Sequence, residues 1–169
     1  MAYVDINTLQ TYNPGDILTA AALQQIRTNE EFLVDPPLCA VSHSTAQSVP
    51  NSTMTILSAD TETFDNDSMH STETNNSRLT TQTAGRYRLS TRIEFASSGT
   101  GAREIRFYKN GASLGAAYLT SPNAGTLVVT TYTEQVCVAG DYFEVGVVQT
   151  SGGALNVRFL AFSAMFLSR

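Results

Sequence analysis

At 169 residues and 18.2 kDa, the chain has room for one domain with a short appendage, and for a core that needs no staples. Only 15% of residues are charged, the net charge is −5 and the pI is near 4.9, without the clustered Lys and Arg that counterion release on nucleic acid requires. No stretch reaches the roughly 17–25 apolar residues of a membrane helix, and the opening MAYVDINTLQ does not read as a secretion signal, so neither nucleic-acid binding nor membrane insertion is expected.

The first 35 residues differ from the rest. NPGD at 13–16 is a turn, with φ fixed by Pro14 and Gly15 tolerant of positive φ. LTAAALQQIRTNEEFLVDPP then predicts a helix, capped by Thr19, with Leu18 and Leu23 placed as a hydrophobic staple. Leu23, Ile26 and Leu33 line one stripe interrupted by Glu30, and Asp35-Pro36-Pro37 ends the helix. An isolated helix of about 15 residues is marginal in water, so this one must dock. It docks either on its own domain or on a larger assembly; the Pro-Pro break favours the second, with residues 1–37 as an N-terminal anchor and Leu18, Leu23, Ile26, Phe32 and Leu33 as its expected apolar contacts.

From residue 38 to residue 169 the pattern is that of strands. GRYRLSTRIEF alternates, placing Tyr87, Leu89, Thr91, Ile93 and Phe95 on one face, with Arg86, Arg88 and Arg92 on the other, solvated face. EIRFYKNGASLGAAYL is a hairpin turning at Asn110-Gly111, the pair a type I′ turn prefers. TLVVTTYTEQVCV and YFEVGVVQT are joined through Gly140-Asp141, and TSGGALN leads into the last strand. Many short strands with Gly-rich turns indicate an all-β, jelly-roll sandwich. Cys39 and Cys137 are too far apart in sequence for a metal motif and read as buried free thiols, with one disulfide as the alternative.

The closing RFLAFSAMFLSR is apolar on both faces. Phe159, Ala161, Ser163, Met165 and Leu167 alternate with Leu160, Phe162, Ala164 and Phe166. One face fills the core. The expectation for the other, Leu160, Phe162, Ala164 and Phe166, is burial against identical neighbours around a symmetry axis, with cover by the chain's own short helix as the alternative.

Catalytic chemistry is not indicated. His43 and His70 lie in Ser/Thr-rich segments, and there is no G-x-S-x-G elbow, H-E-x-x-H or phosphate loop. No cofactor is implied. In FDNDSMHSTETNNSR, Asp65 and Asp67 are weak candidates for a hard cation such as Ca²⁺, but the spacing fails as an EF-hand and turn formation accounts for the same residues. Glu62, Asp65, Asp67 and Glu73 form the one acidic group dense enough for a glycan-cleaving alternative.

Taken in order, SVPNSTMTIL, FDNDSMHSTETNNSRLT, TAGRYRLSTRIEF, IRFYKNG and AGDYFEVGVVQTSGGALNV resemble the jelly-roll head of the tumour-necrosis-factor and complement-head superfamily. More closely, they resemble the versions of that head carried by tailed bacteriophages. GDILTAAALQQIRTNEEFL resembles a segment that opens phage tail-appendage and minor virion proteins, with Leu23-Gln24 in place of the usual Leu-Asn. The resemblance implies a homotrimer located on the phage particle and made in the host cytoplasm, without enzymatic activity. Its expected partners are tail or major capsid proteins and, at the distal loops, a host-cell glycan or surface protein. A capsid decoration that stabilises the shell is the alternative to a tail position. Animal members are secreted or membrane-anchored, and a chain with neither leader nor anchor fits a virion protein better.

Overall fold

The computed structural model describes residues 14, 15, 17, 19–115 and 125–168 in full, and 116–120 as backbone. Helix α1 (Ala20–Val34) comes first. Eleven strands follow: β1 (Leu38–Ser42), β2 (Gln47–Val49), β3 (Thr55–Ile56), β4 (Thr61–Asp65), β5 (Leu79–Thr80), β6 (Gly85–Phe95), β7 (Arg103–Lys109), β8 (Ala112–Thr120), β9 (Leu127–Cys137), β10 (Tyr142–Gln149) and β11 (Leu155–Ser168). They form two antiparallel sheets. The first runs β4-β1-β11-β6-β9, with β2 also on β11; the second runs β3-β10-β7-β8, with β5 also on β10. This is the jelly-roll sandwich the strand pattern predicts.

Period-two burial builds the core. Along β6, Tyr87, Leu89, Thr91, Ile93 and Phe95 point inward, as their alternation requires, against Phe107 of β7 and Phe143, Val145 and Val147 of β10. The KNG hairpin forms as read, with Asn110 at φ 51° and Gly111 at φ 78°. Asn110 also braces the neighbouring turn: its Nδ2 donates to Asp141 Oδ1 (2.7 Å) and its Oδ1 accepts from the Tyr142 N–H (2.9 Å).

The final strand corrects one expectation. Leu160, Phe162 and Ala164 are at most 3% exposed and lie inside the chain's own sandwich, so they are unavailable to a neighbour. The outward row is Phe159, Ala161, Ser163, Met165 and Leu167 instead. The cause is a bulge. Leu155 and Val157 point inward, but the register with β6 shifts between Val157 and Phe159, and from Leu160 onward the even-numbered residues face the core. One extra residue exchanges the two faces of everything after it. Phe166 is half-buried at the base of the sandwich, edge-on to Tyr87 (ring centroids 5.5 Å apart) and to Phe32 of α1 (5.1 Å).

That last contact ties the helix to the head. Thr19 Oγ1 caps α1 by accepting from the Ala22 N–H (3.2 Å), and Pro37 O accepts from the Phe166 N–H (3.0 Å). Asn66 is the second tie, with Nδ2 donating to Asp35 Oδ1 (2.6 Å) and Oδ1 accepting from the Leu38 N–H (2.7 Å).

Candidate assembly surface

The outward face of the first sheet is laid out by its register. Ala40 of β1, Ser163 of β11, Ser90 of β6 and Tyr132 of β9 form one cross-strand row, with Phe64 of β4 beyond Ala40. The adjacent rows are Leu38–Met165–Arg88–Glu134 and Ser42–Ala161–Arg92–Thr130. Small side chains therefore make a shallow central strip, bordered by larger apolar ones. Phe64 (45% exposed), Val128 (45%), Tyr132 (65%), Val136 (71%), Met165 (38%) and Leu167 (36%) all open to solvent here. Outside the N-terminal segment, every large apolar side chain exposed among the described residues lies on this face, or at Val138 just past β9.

Two arginines of β6 on the same face lie against its aromatic rings. Arg88 Nη2 pairs with Glu134 Oε1 at 2.7 Å and its guanidinium lies over the Tyr132 ring (5.3 Å), while Arg92 lies over Phe159 (5.0 Å). These contacts flatten long side chains against the sheet and cover part of its apolar surface.

Among the anchor residues, Leu23 (51%), Ile26 (40%) and Leu33 (79%) are exposed as a stripe, whereas Phe32 is turned onto Phe166 and belongs to the helix's own docking contact. Leu18 lies outside the described residues.

The acidic segment serves as a turn. Asp65 accepts from the N–H groups of Met69 (2.9 Å) and His70 (2.8 Å), and more weakly from that of Asp67 (3.3 Å). Asp67 is buried. Burial pushes its carboxyl above the ordinary range, against the opposing pull of hydrogen bonds from Thr83. Among the described residues no group of three or more His, Cys, Asp or Glu could hold a metal ion.

The acids proposed for glycan cleavage have partners of their own. Glu62 Oε1 is taken up by His70 Nδ1 (2.8 Å), whose Nε2 meets Asn76 O (3.2 Å), and the nearby cavity of about 240 Å³ is lined by Ser68–Ser71, Thr74, Asn75, Arg78, Thr80 and Gln82 without any of them. His43 Nδ1 accepts from Gln47 Nε2 (2.6 Å), while its buried Nε2 meets no hydrogen-bond partner among the described residues. Both thiols are free and inward. Burial pushes Cys137 up to about 11 and, with Asp65 and Glu62 adding to it, raises Cys39 further still, so neither is a ready nucleophile.

The sequence reading missed the wet apolar ridge of Val128, Tyr132 and Val136. Its signal was available in the alternation of β9: the inward row mixes Leu127, Val129 and Cys137 with Thr131, Thr133 and Gln135, while Val128, Tyr132 and Val136 fall on the other side.

The fold is a C1q/TNF-like jelly roll. The globular domain of zebrafish complement 1qA superposes with a TM-score of 0.56 at 15% sequence identity, the match covering 79% of this chain and 98% of that one. No protein-family model and no curated protein sequence matches the chain.

Proposed function

We propose that this chain is a non-enzymatic structural protein that works as a homotrimer, closing the outward face of its first sheet around a threefold axis. The observation that carries this reading is the one-sided exposure of apolar side chains on that sheet. In a cyclic arrangement the ridge of Val128, Tyr132 and Val136 on one subunit seats against the shallow strip of Ala40, Ala161 and Ser163 on the next. Burying each large apolar side chain adds up to roughly 1.5–3 kcal/mol, repeated at every subunit contact. The jelly-roll head supports the same reading.

The trimer serves as a surface appendage of a tailed-phage particle, fastened by residues 1–37 with the jelly-roll head, 38–169, projecting. The resemblance of the N-terminal segment to phage tail-appendage proteins supports this placement and favours the tail over the capsid. The exposed stripe of Leu23, Ile26 and Leu33 fits the fastening role.

The test uses full-length chain with Leu23, Ile26 and Leu33 all replaced by Glu. The variant is expected to keep its oligomeric mass while disappearing from purified particles, as read by gold labelling in electron micrographs. Labelling at wild-type density would overturn the anchoring role, and absence of the wild-type chain from particles would overturn the virion reading.

A further inference from the structure

The loop between β4 and β5, residues 66–78, has no regular structure, and the ring of one histidine pins it. The His70 side chain is 0% exposed and reaches two groups at once. Its Nδ1 lies 2.8 Å from Glu62 Oε1 of β4, and its Nε2 lies 3.2 Å from the carbonyl oxygen of Asn76. Asn76 O is fixed as an acceptor from another side as well, because it takes the Ala59 N–H at 2.8 Å. The histidine backbone is held too, its N–H donating to Asp65 Oδ2 at 2.8 Å.

A carboxylate and a carbonyl offer lone pairs and no hydrogen. A neutral imidazole has one N–H and one bare nitrogen, so it satisfies only one of these two partners. Its bare nitrogen would then face an oxygen lone pair in a place closed to water, and a buried bond would go unmade. Only the imidazolium donates from both nitrogens. The other ionisable groups of the surrounding segments are Asp65 at the end of β4, Cys39 opposite it on β1, Asp67 and Glu73 in the loop, and Arg78 at its close. Asp65 is taken up by backbone N–H groups, Asp67 is bonded to Thr83, Arg78 Nε is on Glu144 Oε1 at 3.2 Å, and burial keeps the Cys39 thiol protonated. Glu62 is the carboxylate that meets the ring itself.

We propose that His70 is a pH-sensitive latch: with two ring protons it closes the loop onto β4, and with one it releases either Glu62 or Asn76. The hold is complete at low pH, where the ring is charged, and is lost as pH rises and the ring gives a proton to water. Ser71, Thr74 and Asn75, which line the cavity of about 240 Å³, lie in sequence between the two ends of the latch. Release therefore loosens that wall of the cavity.

The experiment is NMR on the full-length, nitrogen-labelled chain at about pH 5 and about pH 8, the two ends of the range in which histidines change charge. At the lower pH both His70 ring nitrogens are expected to give the protonated signal, and at the higher pH only one. Amide exchange, corrected for its intrinsic dependence on pH, reads the hold at the N–H groups of His70 and Ala59. Both are expected to open roughly tenfold more often at the higher pH, the effect of losing one charge-assisted hydrogen bond. Glu62→Gln separates the latch from general effects of pH. Its amide can donate to a bare Nδ1, so a neutral ring satisfies both partners, and this variant is expected to hold at the higher pH and loosen at the lower. A ring with a single proton at both pH values overturns the proposal. So does wild-type exchange at His70 and Ala59 that is the same at both, or that changes alike in the wild type and in Glu62→Gln.

Discussion

The two sheets of the sandwich share one core but treat their outward faces differently. On the second sheet, the outward side of β10 is covered from within the chain. Over Gly146 of β10, the side chains of Met54, Tyr108 and Ile56 close in so tightly that an added Cβ would lie 2.8 Å from Met54 Sδ and Tyr108 Cε2. Beside them Glu144 is held by Ser77 Oγ (2.7 Å) and Arg78 Nε (3.2 Å), and Arg78 also lies over the Tyr142 ring at 4.0 Å. The first sheet leaves Phe64, Val128, Tyr132, Val136, Met165 and Leu167 open. Apolar area scattered singly over a surface needs no explanation, but area gathered on one sheet, while the outward side chains described on β10 are covered, supports the proposed contact with a second subunit.

The sharpest way to test this division is across β11, where neighbouring residues face opposite sides. Phe162 is 3% exposed and its ring centroid lies 6.3 Å from that of Phe107, so Phe162→Ala opens a cavity inside the subunit. The expected cost is about 3–5 kcal/mol of folding stability, measured by urea unfolding. A loss below about 1 kcal/mol would mean that the inward assignment of the even-numbered row is wrong.

A smaller effect is expected at the base of the sandwich, where pH probes the turns that hold both sheets. Burial pushes the Asp141 carboxyl up, but hydrogen bonds from Lys109, Asn110 and the Val138 N–H outweigh it and hold the group below its ordinary value. A carboxyl depressed in the folded state stabilises the fold above its unfolded value of about 3.9, and that contribution is lost as pH falls through the lower folded value. The melting temperature of the wild-type chain should therefore fall through this acid range. Asp141→Asn should melt lower at pH 7 and show a shallower acid decline. Equal acid slopes in the two proteins would remove Asp141 from the account.

Most of the fold was legible in the sequence because alternation and turn chemistry are local. Thr19 caps the helix, Asn110-Gly111 turns the hairpin, and the inward row of β6 matches its reading residue for residue. The assembly surface was legible only in part. The closing strand's two apolar rows were visible, but the row assigned outward was the wrong one. A bulge near Arg158 depends on how β11 pairs with a strand some 60 residues earlier, and no local pattern in RFLAFSAMFLSR announces it. Phe32 was placed with the anchor for a similar reason: its partner, Phe166, is distant in the chain. The acidic turn was legible as such, and hydrogen bonds from the Met69 and His70 N–H groups to Asp65 form it.

The account's central claim is that the outward face of the first sheet is covered by identical subunits. Sedimentation equilibrium of the full-length chain tests it most directly, beside Tyr132→Glu as the matched break. The wild-type chain should show a mass about three times that of the subunit at micromolar concentration, and Tyr132→Glu should shift it toward the single-subunit mass without loss of β-sheet signal. A wild-type chain that stays at 18.2 kDa across that range would contradict the claim.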